Sequence, residues 1–436
     1  MKKWSNRMAM FILVCCLFGG CSFKQEIEKA EEKEPILIWT WDDTFNVKAA
    51  KMAAQEYKKK HKNVEIVVET KEREEILTNT KIMFSSKVYG NLPDVIMIED
   101  YDIQDVLQSY KDEFAELTDQ IDYNKYVDIK KHLCEREGHF YGIPFDCGTA
   151  ALFYRIDLIE AAGYHEDDMK DLTWSDYIRI GEDVYNKTGI PMITLDPTDL
   201  PLIRLIMQSC GEWYVKEDGI TANIKSNSAL KQALRIYERL LKENLGVSVN
   251  GWNEFISAFQ NGNVATVLSG SWIISSIMES SQQNGLWRVA SIPVVEENSN
   301  SVSASNVGGS AWYILKNSQN SEAAKKFMVE MFAENTDFLD TLVSEIGVVL
   351  SLKDSSALPS YSAKASFFGN QEVTRFLTET AAMSHTVNYG SKTYEIEAIL
   401  ESELQNMLSG GDWEKCLSRT QFKAEAVVRE RVGESP

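Results

Sequence analysis

Residues 36–41 read ILIWTW, residues 46–61 read NVKAAKMAAQEYKKKH and residues 64–68 read VEIVV. The first and third are short apolar runs rich in β-formers. Between them Val47, Ala50, Ala54 and Tyr57 recur at i, i+3, i+7 and i+10, which lays one apolar stripe along a helix. Strand, helix and strand in that order make a β-α-β unit, with parallel pairing and a right-handed crossover. The pattern continues outward. Residues 71–87 read as a second helix, Asn91-Leu92-Pro93 as a break, and DVIMI at 94–98 as a third strand. This alternation predicts an open α/β sheet.

Further along, Ile143-Pro144-Phe145 leads through a bend at Gly148 into an apolar strand at 150–154. Thr173 or Ser175 starts a helix as its cap. Residues 229–244 are strongly amphipathic, with Leu230, Ala233, Leu234, Tyr237, Leu240 and Leu241 on one face. Residues 264–268 (VATVL) and 312–315 read as strands, and 298–305 as a polar loop. The last third turns helical at 322–332, 372–382, 394–408 and 413–429. There is no internal repeat.

The N-terminus is a different kind of segment. Lys2, Lys3 and Arg7 precede an apolar run of 11 residues, Met8 to Phe18. A helix needs about 20 apolar residues to span a bilayer, so the run reads as the core of a secretory signal, residues 1–20. Gly19-Gly20-Cys21 follows and resembles a lipobox, with Phe18 where Leu is usual; the resemblance implies that Cys21 carries the lipid. Residues 24–35 (KQEIEKAEEKEP) are too charged to offset their ordering entropy by burial. With Cys21 they form the lipidated tether, residues 21–35.

About 400 residues remain, more than one ordinary core, so two domains are expected. The net charge is −20, and loss of residues 1–20 takes three positive charges with it, leaving the mature chain near −23. Such a body repels nucleic acid and anionic lipid. Cys134, Cys147, Cys210 and Cys416 lie in the body without a CxxC, and only five histidines are present. A Cys134–Cys147 bridge and isolated buried thiols are both open readings. No metal spacing is seen, and no GxxxxGK[ST], HExxH or GxSxG motif. No cofactor, metal or catalytic residue is assigned.

Five segments in order resemble the extracellular solute-binding proteins of carbohydrate ABC importers, the maltose-binding-like class. They are ILIWTW with its helix, LPDVIMIEDYD at 92–102, HFYGIPFDCGTAALFYRIDLIEAAGY at 139–164 followed by TWSDY, FQNGNVATVLSGSW at 259–272, and SNVGGSAWYILKNSQNSEAAKKFMVEMF at 305–332. The resemblance implies a two-lobe periplasmic-binding-protein-like fold with hinge crossings and a helical C-terminal part. Lobe 1 would take 36–146 and 291–345, and lobe 2 147–290 and 346–436. The crossings would fall near Asp146–Gly148, Ser291–Val302 and Ile346–Leu350. A monomer on the outer face of the cell membrane would hold a sugar or oligosaccharide and pass it to the permease subunits of an ABC importer.

Sugars present C–H faces that stack on aromatic rings and hydroxyls that pair with carboxylates and amides. The candidates are therefore aromatics and acids at strand ends. Trp41 supplies a ring after the first strand, with Trp39 in the core, and Asp42 and Asp43 supply acceptors. Asp100 and Tyr101, with Glu99, end the third strand, where the family places cleft residues. Asp146 lies beside the first crossing. Trp272, after Gly270, matches the family's stacking aromatic from lobe 2. Gly309, with Gly308, looks like a close-approach pair for backbone amides. Trp213, beside Tyr214, would cover the lobe 2 wall. Of Tyr389 and Tyr394, one is expected to add an aromatic, and Tyr389 is chosen. Two other classes stay open: a binding protein for another solute (polyamine, peptide or metal), and a secreted glycoside hydrolase, which needs a carboxylate pair about 5 Å or about 6.5–9.5 Å apart.

Overall fold

The computed structural model describes residues 34–90 and 92–429. Cys21, the signal segment and the tether up to residue 33 lie outside the described residues. The opening β-α-β unit forms as β1 (Ile36–Thr40), α1 (Asn46–Lys60) and β2 (Ile66–Thr70), and β1 pairs with β2 in parallel from Ile36↔Ile66 to Thr40↔Thr70. Helix α2 (Arg73–Ser86) leads to β3 (Val95–Glu99), parallel to β1 on its other edge. Val47, Ala50 and Tyr57 of the predicted stripe are buried.

A long strand, Gly142–Arg155, belongs to two sheets at once. Its first half pairs antiparallel with the strand Asn306–Ile314, from Tyr313↔Gly142 to Gly309↔Cys147, and that strand completes the sheet against β3. Its second half pairs with Thr266–Gly270 and Trp287–Ala290. One shared strand thus joins two halves, and the molecule has a two-lobe, maltose-binding-protein-like α/β fold. Only glycine fits at the junction: a Cβ on Gly148 would stand 2.1 Å from the Val307 carbonyl oxygen.

Three passes of chain meet there. Cys147 N donates to Val349 O at 2.9 Å, and Asp146 bridges Leu350. The second pass comes later than the expected Ser291–Val302. Through that stretch the chain is still bonded to the second half: Trp174 N donates to Val294 O, Val302 N to Ser209 O, and Ala150 N to Ser305 O. The switch falls at Val307–Gly309, where the ladder against Cys147–Thr149 is bulged.

The helix Trp174–Thr188 starts as TWSDY predicts. Thr173 Oγ1 accepts from Asp176 N at 3.0 Å, and the Asp176 carboxylate accepts back from Thr173. The C-terminal helices are Ser321–Val329, Val373–Ala381, Thr393–Leu408 and Trp413–Arg429, with a further helix at Thr336–Ile346. All four body cysteines are free and buried.

Candidate ligand-binding cleft

A cleft of about 940 Å³ runs between the halves, at the upper end of the roughly 300–1,000 Å³ usual for small-molecule sites. It opens at the carboxyl ends of β1 and β3, where open α/β sheets place ligands. Strand β1 stops at Thr40, so Trp39 stays in the core at 8 % exposure, while Trp41 is half-buried and lines the cleft. Asp42 takes a left-handed backbone, φ 62°. Its Oδ1 accepts from Thr44 N at 3.0 Å and Thr44 Oγ1 at 2.8 Å. One oxygen of the expected acceptor is therefore spent on the turn into α1. Asp43 is exposed at the rim, where its Oδ1 accepts from Thr70 Oγ1 at 2.8 Å.

Facing this wall stand three rings from the second half. Trp272 sits in the short helical turn Ser271–Ile273 that follows Gly270, where a Cβ would lie 2.3 Å from its indole nitrogen. Its Nε1–H donates to Val307 O at 2.9 Å, and its ring sits 5.6 Å from that of Trp252. Trp252 is 49 % exposed and packs on Phe255. Both sit on the helix Trp252–Gln260, which sequence reading passed over; Gly251-Trp252 before an apolar stretch was the available signal.

One end of the cleft is closed by a charged network. Arg73 Nη1 donates to Glu99 at 2.9 Å and to Asp102 at 2.6 Å. The Tyr394 hydroxyl donates to Glu99 Oε2 at 2.7 Å, and Arg73 lies over the Tyr394 ring at 4.7 Å. Arg204 pairs with Glu397 and donates to Asp199 at 2.6 Å. Tyr214 donates to Glu397 at 2.9 Å. Burial first, then Glu99, holds the Tyr394 hydroxyl protonated by raising its pKa far above the usual phenol range. Burial, then Glu397 and Asp199, pushes the Glu401 carboxyl up to about 7.

Trp41, Asp42, Asp43, Tyr101, Asp146, Trp272 and Gly309 thus come together on the cleft. Asp146 and Tyr101 reach it only from below, at 2 % exposure each. The Asp146 carboxylate accepts from Ser310 N at 2.8 Å and Ser310 Oγ at 2.7 Å. The Tyr101 hydroxyl accepts from Gly308 N at 3.1 Å, so the amide expected to reach a ligand is already engaged. Gly309 has φ 96°, and a Cβ there would sit 2.6 Å from Asp100 Oδ2.

Three expected residues are not on the cleft. Asp100 does not end a strand; it opens the helix α3 (Asp100–Tyr110) directly after β3 and turns inward to Lys130, whose Nζ donates to its oxygens at 2.6 and 2.8 Å and to Ser310 O at 2.8 Å. Burial pulls the Lys130 ammonium down, but Asp100 and Asp146 outweigh it and leave its pKa raised. Trp213 is buried beneath the C-terminal helices, donating to Thr393 Oγ1 at 3.1 Å and stacking 5.4 Å from Tyr101. Tyr389 is buried 4.7 Å from both rings. Of the two late tyrosines it is Tyr394 that lines the cleft.

Among the described residues no cluster of His, Cys, Asp or Glu is arranged to hold a metal, and no helix is long and apolar enough to cross a membrane.

Residues 52–369 match the family described as bacterial extracellular solute-binding protein, and the chain belongs to that family. It is 36 % identical over 394 residues to a lactose-binding protein of Rhizobium radiobacter, spanning 90 % of this chain and 93 % of that one. Among solved structures it resembles the GacH receptor of Streptomyces glaucescens, a structure determined without ligand and with acarbose, at 17 % identity and TM-score 0.75, covering 92 % of this chain and 100 % of the other. It also resembles an ABC-transporter-associated binding protein of B. animalis subsp. lactis Bl-04 in complex with β-1,6-galactobiose, at 21 % identity and TM-score 0.74, covering 91 % and 98 %. Two of these proteins are named as binding proteins and one as a receptor.

Proposed function

We propose that this chain captures a sugar or short oligosaccharide outside the cytoplasm and delivers it to the permease of an ABC importer. A disaccharide of the lactose type is the first ligand to try, because the 36 %-identical relative is named for lactose. The observation that carries the reading is the pair of walls: Trp41 with its acids on one side, and Trp252, Phe255 and Trp272 on the other. Rings on both sides sandwich the C–H faces of a pyranose, and the carboxylates between them take its hydroxyls. Trp41, Asp42, Asp43, Trp252 and Trp272 are the proposed contacts, with Tyr101, Asp146 and Gly309 shaping the floor.

Lobe 1 is proposed to comprise residues 36–146 and the chain from the switch at Val307–Gly309 to about 345; lobe 2 takes the intervening stretch and 346–436. Residues 1–20 would be removed as a signal, Cys21 would carry the lipid, and residues 21–35 would hold the body off the membrane. No catalysis is assigned.

Calorimetric titration with lactose and with arabino-oligosaccharides tests the reading: saturable binding of at least one is expected, with no sugar release on prolonged incubation. Absence of binding across such a panel would overturn it, and turnover would move the protein to the hydrolases. Cys21→Ser is expected to abolish palmitate labelling; continued labelling would remove Cys21 as the acylated residue.

A further inference from the structure

We propose that the cleft sorts sugars by charge, taking those that are neutral or carry an amino group and refusing those that carry a carboxylate. The inference rests on the carbohydrate reading of the same cleft.

Eleven acidic and three basic side chains line it, but the imbalance alone decides nothing. What decides is whether any cation is free to meet an anion. Arg73 is already divided between Glu99 and Asp102. Arg204 holds Asp199 and Glu397, and its remaining Nε is buried out of reach. Lys71 has Glu75 at 3.4 Å and Glu69 at 3.8 Å. A ligand carboxylate would have to break one of these pairs and strand the protein carboxylate it displaced, at high cost where the pair is buried. Otherwise it would stand unpaired among like charges, an arrangement that works against binding.

The acids are not in the same position. Glu401 makes no hydrogen bond or ion pair among the described residues, and burial, followed by its neighbours Glu397 and Asp199, pushes its carboxyl up to about 7. A positive group beside it relieves that repulsion. Elsewhere on the lining, the faces of Trp252 and Trp272 also favour positive over negative charge. A hydroxyl is acceptable at such a place, an ammonium better, and a carboxylate has nothing to meet it.

The test is titration of the full chain against three disaccharides of one skeleton: lactose, its 2-amino form with the amine free, and its form with the terminal carbon of the glucose unit oxidised to a carboxylate. The amino form is expected to bind at least as tightly as lactose, and the carboxylate form at least tenfold more weakly. Raising salt should narrow the gap, because exposed charges are screened. Glu401→Gln should reduce the preference for the amino form. A carboxylate form within threefold of lactose would overturn the charge proposal while leaving the carbohydrate reading in place. Failure of all three, and of the arabino-oligosaccharides, would overturn the carbohydrate reading and this proposal with it.

Discussion

Gly211-Glu212-Trp213 and Gly270-Ser271-Trp272 look alike in sequence: a glycine, a small step, a tryptophan. Their fates are opposite. Trp213 is 1 % exposed, its indole nitrogen bonded to Thr393 and its ring among Tyr101 and Tyr389. Trp272 is half-buried, bonded to the Val307 backbone, with one side open to the cleft beside Trp252. The difference is not local. The first turn of the helix Thr393–Leu408 is laid over Trp213, whereas Trp272 packs against both apolar cores yet keeps part of its ring on the cleft beside the partly exposed Trp252. A bulky side chain after a glycine marks a place where the chain turns; what arrives over it from elsewhere decides whether it becomes core or contact surface.

Substitution should pull the two apart. The largest effect is expected for Trp213→Ala, a loss of about 3–5 kcal/mol of stability, as for large-to-small changes in a closed core. Urea unfolding measures it, and an unchanged midpoint would place Trp213 on the surface. Trp272→Ala is expected to lower sugar affinity about thirtyfold, roughly 2 kcal/mol by the usual conversion, with a smaller loss of stability than Trp213→Ala. Equal stability losses in the two variants, with affinity intact in Trp272→Ala, would erase the distinction. Trp272→Phe keeps a ring but leaves the Val307 carbonyl unpaired, which should cost about 1 kcal/mol of stability, read from the same unfolding curves.

The smallest effect concerns two carboxyls on one helix. Glu401 faces the cleft and is raised to about 7, while Glu403, hydrogen-bonded to Arg419, is held down to about 2. Unfolded, both would titrate near 4.5. Between about 4.5 and 7 the folded state holds the Glu401 proton more tightly than the unfolded one, so stability falls as pH rises through that window. For Glu403 the sign reverses: its contribution is present above about 4.5 and disappears as pH falls towards 2. Glu401→Gln should therefore flatten the neutral limb of a Tm-against-pH profile, and Glu403→Gln the acid limb. Identical profiles for the two variants would contradict these assignments.

Much of the fold was legible because periodicity reports burial. The stripe of α1, the amphipathic face at 229–244 and the alternation of β1, α1, β2 and β3 each followed from side chains that must leave water. Trp41 and Trp272 were legible for a related reason: each stands where a strand ends. The helix α3 was hidden because it starts on the residue after β3, with no linker to mark the change. Asp100, which with Asp102 puts acid in its first turn where a helix N-terminus favours it, reads with Glu99 and Tyr101 as the end of the strand. Trp252, Phe255, Ile256 and Phe259 recur at i, i+3, i+4 and i+7, which is one face of a helix, but the helix is only nine residues long and so easily passed over. Tyr389 and Tyr394 could not be told apart, since which one fronts the cleft depends on how the C-terminal helices dock against Trp213. The late switch at Val307–Gly309 was obscured by the polar stretch 298–305, which reads as a connection but is bonded to the second half.

The three passes between the halves are not separate threads. Cys147 stands between Gly309 on one side and the carbonyl of Val349 on the other, so the passes are joined edge to edge as a narrow ribbon. A ribbon bends about one line and resists the sideways slips and independent twists that three loose strings would permit. Opening and shutting would then follow a single arc, and the rings of the two walls would meet in the same alignment at every closure.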